Sequence, residues 1–162
     1  MIFGRVSGFI SVLVPSDVYR RGSMLDNGFH EEEVKLLRSR SLRMLVHAEE
    51  CLRSRDYDLA AFLAEQSVQL YLKSVILELV GEVPRTHSIR QLLHMIRTIL
   101  DKEMAERIDE FVHSHRRLLT GLEEAYLASR YLFRIYEKDE SEELVRFAKE
   151  VIRFVENLKV ET

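Results

Sequence analysis

Residues 59–80, "LAAFLAEQSVQLYLKSVILELV", constrain the chain more than any other stretch. They contain no glycine or proline, favour helix, and are apolar around most of the helical circumference. Such a helix cannot lie on a surface; it belongs at the centre of a bundle or at a dimer seam. Gln66 stands in its middle and needs a hydrogen-bond partner there. "RDYD" precedes the helix, with Asp56 or Asp58 as an N-cap. Gly81 ends it in the C′ role and Pro84 prevents continuation.

The flanking segments supply the surround. From Phe29 to Arg55 three glutamates open a helix, and Val34, Leu37, Ser41, Leu45, Ala48 and Leu52 follow i+3/i+4 spacing to give one apolar stripe. "RTHSIRQLLHMIRTIL" starts a shorter helix that Thr86 can cap, while Ser88 and Gln91 fit an S-x-x-Q capping box. A further helical stretch runs from about Lys102 to Tyr136, bent or interrupted around "LTG" at 119–121. Asp139 or Ser141 caps the last helix, whose Leu144, Phe147, Ala148, Val151, Phe154, Val155 and Leu158 form its buried stripe. Short connections make neighbours antiparallel. The expectation is an all-α, up-and-down bundle of four to five helices over residues 29–162.

Residues 1–28 stand apart: they hold four of the six glycines, Pro15 and the β-rich "FISVLV". They read as a non-helical N-terminal arm or edge strand, and Met24 offers an alternative start of translation. The apolar run at 8–15 is too short to span a bilayer, and no small-residue cleavage site follows it.

Composition narrows the function. With 46% hydrophobic and 31% charged residues the chain reads as one soluble domain. A net charge of −3 gives no global attraction to nucleic acid or anionic membrane, so phosphate contacts must come from a local patch. Of the 24 basic residues 18 are arginine, the side chain suited to bidentate phosphate or carboxylate contacts. Cys51 is the sole cysteine, which excludes an intrachain disulfide and makes the cytoplasm the expected location; it reads as a small half-buried hydrophobe. No cofactor motif or metal-ligand pattern is present, and His113 and His115, two apart, point away from each other on a helix.

The strongest local signal is "EEAYLASRYLFRIY", 123–136. On one helix Ala125, Ala128, Leu132 and Ile135 would form the packed face, and Tyr126, Arg130, Arg134 and Lys138 would run up another. Two readings are open. A base could stack on Tyr126 while Arg130 and Arg134 grip phosphate. Equally, Arg130 could pair with a carboxylate of a neighbouring helix and Tyr126 could cover the core edge. His87, at a helix start, is either at an anion-friendly position or part of the cap. Arg40, Arg43 and His47 share a face that either touches RNA or is simply solvated.

"RDYDLAAFLAEQSVQLYLKSVILELVGEVPRTHSIRQLL" (55–93) followed by "YLASRY" (126–131) resembles the HEPN domain family of small helical nucleotide-binding proteins. The resemblance covers about residues 30–158. It implies a five-helix bundle that forms a homodimer. It also implies a role beside a minimal nucleotidyltransferase in toxin–antitoxin-like or defence modules. The implied nucleotide or RNA site involves Tyr126, Arg130 and Tyr131, with His87 and Gln66 as further motif positions. Leu132 replaces an expected proline, and Ser88 an expected aspartate. Many members are ribonucleases carrying R-x4–6-H. Two such spacings occur, Arg107-x5-His113 and Arg40-x6-His47, and about two are expected by chance in a chain with this many arginines and histidines. Three functions therefore stand: a nucleotide- or RNA-binding module, a metal-independent endoribonuclease using Arg107 and His113, and a structural dimerisation partner.

Overall fold

The computed structural model describes residues 24–131 and 134–160. Six helices form among them: α1 (Met24–Arg53), α2 (Tyr57–Val80), α3 (Ile89–Ile99), α4 (Lys102–Ser114), α5 (Arg116–Tyr131) and α6 (Lys138–Val160). α1 takes in residues 24–28, assigned to the N-terminal arm from sequence; residues 1–23, with "FISVLV", lie outside the described residues.

The apolar helix is central, as its circumference requires. α2 packs against α1, α3, α5 and α6. Ala60, Ala61, Ala64, Val68, Leu72, Val75 and Ile76 are essentially without solvent exposure. The small residues on its N-terminal half let neighbouring helices approach closely, and the branched ones further on fill the wider space. α1 and α2 form a helical hairpin: Arg38 on α1 pairs with Glu78 near the end of α2, and Ser41 Oγ donates to the Ser67 carbonyl at 2.7 Å. The expected α1 stripe faces inward, with Val34, Ser41 and Ala48 buried and Leu37, Leu45 and Leu52 half-buried. Between the two helices Arg55 turns the chain with φ 63°, in the left-handed region.

The helix count exceeds the expected four to five because the stretch from Lys102 breaks at His115 and not around 119–121. His115 adopts φ −110° and ψ 21°, and its side chain fixes the break. Its Nδ1 lies 2.9 Å from the Phe111 carbonyl and its Nε2 3.1 Å from Glu150, while the ring packs between Phe111 and Phe147. Gly121 sits inside α5, where a Cβ would come within 3.2 Å of Leu144 Cδ2. That glycine serves the close approach of α5 and α6, so it does not mark a turn.

α5 ends at Tyr131, which overturns a second expectation. Arg134 and Ile135 lie in a non-helical segment before α6, so they do not continue the Tyr126–Arg130 face. Ala125 and Ala128 are buried as expected, but Ile135 is 81% exposed; Leu132 lies outside the described residues. The segment is held by Asp58, whose Oδ1 accepts the Tyr136 N–H at 2.7 Å, so Asp58 is a clamp and not the cap of α2. Asp56 occupies the N-cap position without a side-chain hydrogen bond. Ser141 lies within α6, is buried, and donates to the Tyr57 carbonyl at 2.8 Å, so it does not cap that helix.

Gly81 terminates α2 at φ 82°, its N–H bonded to the Leu77 carbonyl at 2.8 Å. A side chain there would occupy a backbone region it disfavours. Gly81→Ala is expected to lower the unfolding free energy by about 1 kcal/mol, read as a lower urea midpoint at unchanged slope; an unchanged midpoint would contradict the assigned cap.

Candidate functional site

α2 carries one polar stripe through its apolar surface. Glu65, Gln69 and Lys73 recur at i, i+4 and i+8 and so share a face, with Gln66 beside them. Glu65 has no solvent exposure and Gln69 has 3%. Their hydrogen bonds are made within the stripe: Gln69 Nε2 donates to one Glu65 oxygen and Gln66 Nε2 to the other, the latter at 2.7 Å. The partner demanded by Gln66 is therefore a buried carboxylate one residue away.

The stripe faces the α2–α3 connection and α5. Gln69 Oε1 lies 3.2 Å from His87 Nδ1. The His87 ring, exposed on its outer side, stacks on Tyr126 with centroids 4.9 Å apart and planes inclined by 12°. Arg130, one turn along α5, places its guanidinium carbon 4.9 Å from the Tyr126 centroid, a cation–π arrangement. Arg130 is exposed and has no ion pair among the described residues. The result is a surface stack of imidazole, phenol and guanidinium backed by buried polar groups.

The N-terminus of α3 beside this stack already holds an anion. Ser88 is the N-cap and accepts from the Gln91 N–H at 3.3 Å. Its hydroxyl donates to Glu123 Oε1 at 2.7 Å, and the same oxygen accepts the Arg90 N–H at 2.9 Å. Arg90 Nε donates to Glu123 Oε2 at 2.8 Å. The helix end that made the His87 region anion-friendly is thus occupied by a carboxylate of α5. His87 bonds the Gln69 side chain and not the cap backbone, and the helix end beside it is taken by Glu123.

Other sequence candidates lie apart from the stack. Arg134 pairs with Glu124 at 2.7 Å and with Glu140, and sits over Tyr136, so its charge is compensated within the fold. Tyr131 follows Arg130 but is 73% exposed. Arg107 and His113 are both on α4, where six positions place them on different sides of the helix, and His113 is exposed. His47 bonds Glu50 at 2.8 Å on the outer side of α1. No group of three or more His, Cys, Asp or Glu among the described residues could hold a metal ion. No helix among them is long and apolar enough to cross a membrane. Cys51 is half-buried, and burial raises its thiol pKa.

Glu65, Gln69 and Lys73 escaped the sequence reading. Their signal was the i, i+4, i+8 recurrence of long polar residues inside an otherwise buried helix.

The charges respond to this setting. Burial pushes the Glu65 carboxyl from 4.5 up to about 7, against the hydrogen bonds from Gln69 and Gln66 and the Lys73 charge; Glu123 adds to the rise. Partial burial, then the Lys73 and Arg130 cations, hold His87 below 6.5. Lys73 is lowered by burial, with Glu65 opposing. Burial raises Glu123, but its bonds from Arg90 and Ser88 outweigh this and hold it below its ordinary value.

A raised carboxyl stabilises the fold fully below its unfolded pKa, and that stability is lost as pH rises through the folded value. For Glu65 the window runs from about pH 4.5 to about pH 7 and is worth about 3 kcal/mol. Glu65→Gln is expected to flatten this part of the stability–pH curve and raise the melting temperature at about pH 8 while leaving it unchanged at about pH 4.5. Parallel wild-type and variant melting curves across the window would rule out the shifted carboxyl.

Comparison with known proteins places the whole bundle in one group. No curated protein and no solved structure matches the chain. The profile of the HEPN domain matches residues 34–158, from α1 to α6. On that match, which spans most of its length, the chain belongs to the HEPN domain family.

Proposed function

We propose that this protein is a HEPN module that binds a nucleotide or RNA at the stack of His87, Tyr126 and Arg130. The observation that carries the reading is the state of Arg130: its guanidinium is exposed, lies over an aromatic ring, and has no carboxylate partner among the described residues. Arg134 and Arg90, by contrast, are paired with carboxylates of the fold. An exposed guanidinium beside an aromatic face suits a phosphate next to a base. The stack rests on a buried polar base, which supports a preorganised surface.

Gln66 acts behind the stack through Glu65. Tyr131 follows Arg130 as an exposed ring, and Arg134 is engaged by Glu124 and Glu140 ahead of α6. Family membership supports a homodimer that pairs with a minimal nucleotidyltransferase in a toxin–antitoxin-like or defence system. It works in the cytoplasm and requires no bound cofactor.

Arg130→Ala and Tyr126→Ala are each expected to weaken binding of short RNA or mononucleotide by about 1–3 kcal/mol, roughly tenfold to a hundredfold in Kd. Because both side chains reach the surface, the melting temperature of the unliganded variants should stay close to wild type. Calorimetric titration checks the first expectation and thermal unfolding the second. Affinity unchanged in both variants would refute the site, and a loss of dimer in sedimentation without loss of affinity would make the stack an interface instead.

A further inference from the structure

The buried pair behind His87 determines more than its position. A carboxylate only accepts hydrogen bonds, so an ionised Glu65 can face Gln69 only through the amide NH2 group. The Gln69 carbonyl is then turned outward, toward His87 Nδ1 at 3.2 Å. A carbonyl also only accepts, so Nδ1 must carry the proton. In the neutral ring Nε2 is then left with a lone pair. That nitrogen has no hydrogen-bond partner among the described residues, and the ring is exposed. Gln66, on the second Glu65 oxygen, keeps the carboxylate from rotating away. The arrangement opposes the intrinsic preference of a free imidazole for the Nε2–H form, so it is imposed by the protein.

An acceptor beside a guanidinium makes a selective pair. A phosphate satisfies Arg130 but repels an Nε2 lone pair, so the ligand must bring a hydrogen-bond donor close to its phosphate. Imidazole and guanidinium both lie 4.9 Å from the Tyr126 ring, within the span of one nucleotide. The donor that an RNA backbone places near its phosphate, and a DNA backbone lacks, is the ribose 2′-hydroxyl. We propose that Glu65 and Gln69 are positioning residues that hold His87 in the Nδ1–H tautomer, so that Nε2 accepts the 2′-hydroxyl of RNA whose phosphate sits on Arg130. The inference rests on the nucleotide-binding reading for its ligand but not for its tautomer.

The test uses the full chain labelled with nitrogen-15 and an RNA dinucleotide alongside its 2′-deoxy counterpart. Ring-nitrogen spectra of the unliganded protein at about pH 8.5, where the lowered His87 is neutral and Glu65 is ionised, read the tautomer directly. The expected result is Nδ1–H in wild type and a shift toward Nε2–H in Gln69→Leu. Glu65→Gln, which can present either amide edge to Gln69, should give a mixture, and it provides a second reading should Gln69→Leu fail to fold. Wild type is expected to bind the ribose form about tenfold more tightly than the deoxy form, and both variants to lose that preference. An Nε2–H ring in wild type overturns the inference and leaves nucleotide binding standing. An Nδ1–H ring with equal affinity for the two dinucleotides overturns the 2′-hydroxyl contact. Binding of neither, with the tautomer as expected, overturns the nucleotide-binding reading and the ligand half of the inference with it.

Discussion

The burial of α2 on nearly every side is the constraint on which the other elements depend. A helix with Ala60, Ala61, Ala64, Val68, Leu72, Val75 and Ile76 fully buried and Phe62, Leu63, Gln66 and Leu70 half-buried gives little of its surface to water. α1, α3, α5 and α6 therefore surround it, and their amphipathic stripes follow from having only one inner side each. The exception on α2 is correspondingly informative. Glu65 and Gln69 are enclosed like their apolar neighbours, and a buried carboxylate is tolerable only because two amides bond both its oxygens and Lys73 lies near. Replacing the stripe with leucine-like residues would suit the core better by burial alone. Its presence points outward, to the imidazole it contacts.

Electrostatic arrangement around that imidazole separates what the fold needs from what it leaves open. The positive end of α3 is neutralised by Glu123, which also receives Arg90 and the Ser88 hydroxyl. That contact ties α5 to the α2–α3 connection and fixes Tyr126 against His87. With the carboxylate already in place, an incoming anion gains nothing from the helix terminus. The attraction available to it comes from Arg130 on its aromatic support, with the half-buried Lys73 ammonium behind the imidazole, in a chain whose net charge is −3.

Much of this was legible in the sequence, and the failures have identifiable causes. Apolar periodicity located the stripes of α1 and α6 and the central place of α2, because burial acts on side chains at fixed helical spacing. The N-cap at Ser88 and the glycine end at Gly81 were equally readable, since each is a local device, whereas the reciprocal half of the capping box is replaced by Thr86, which takes the Ser88 N–H and donates to Gln91. The break at His115 was not, because it depends on Phe147 and Glu150, more than thirty positions away. Gly121 misled for the same reason: its purpose is the neighbouring Leu144 and not the local turn. At the site, helical spacing correctly paired Tyr126 with Arg130 and wrongly added Arg134, since the clamp from Asp58 that accompanies the end of α5 joins residues 78 positions apart. Gln66 was noticed for being polar, whereas Gln69, which contacts His87, and Glu65, which holds Gln69, show their role only when His87 is brought beside them.

The contrast between Arg130 and Arg134 follows from where α5 stops. Had the helix continued, both guanidinium groups would lie along one face and would repel each other unless a polyanion bridged them. Ending the helix at Tyr131 lets Arg134 turn toward Glu124 and Glu140, where it holds the entry to α6 and covers Tyr136. Arg130 stays on the last turn of α5, over the Tyr126 ring and without an ion pair among the described residues. The same termination therefore supplies a structural cation and an uncompensated one from two arginines four residues apart. Under the proposed function a phosphate would meet the second of these, beside an imidazole whose Nδ1 lies 3.2 Å from Gln69 Oε1.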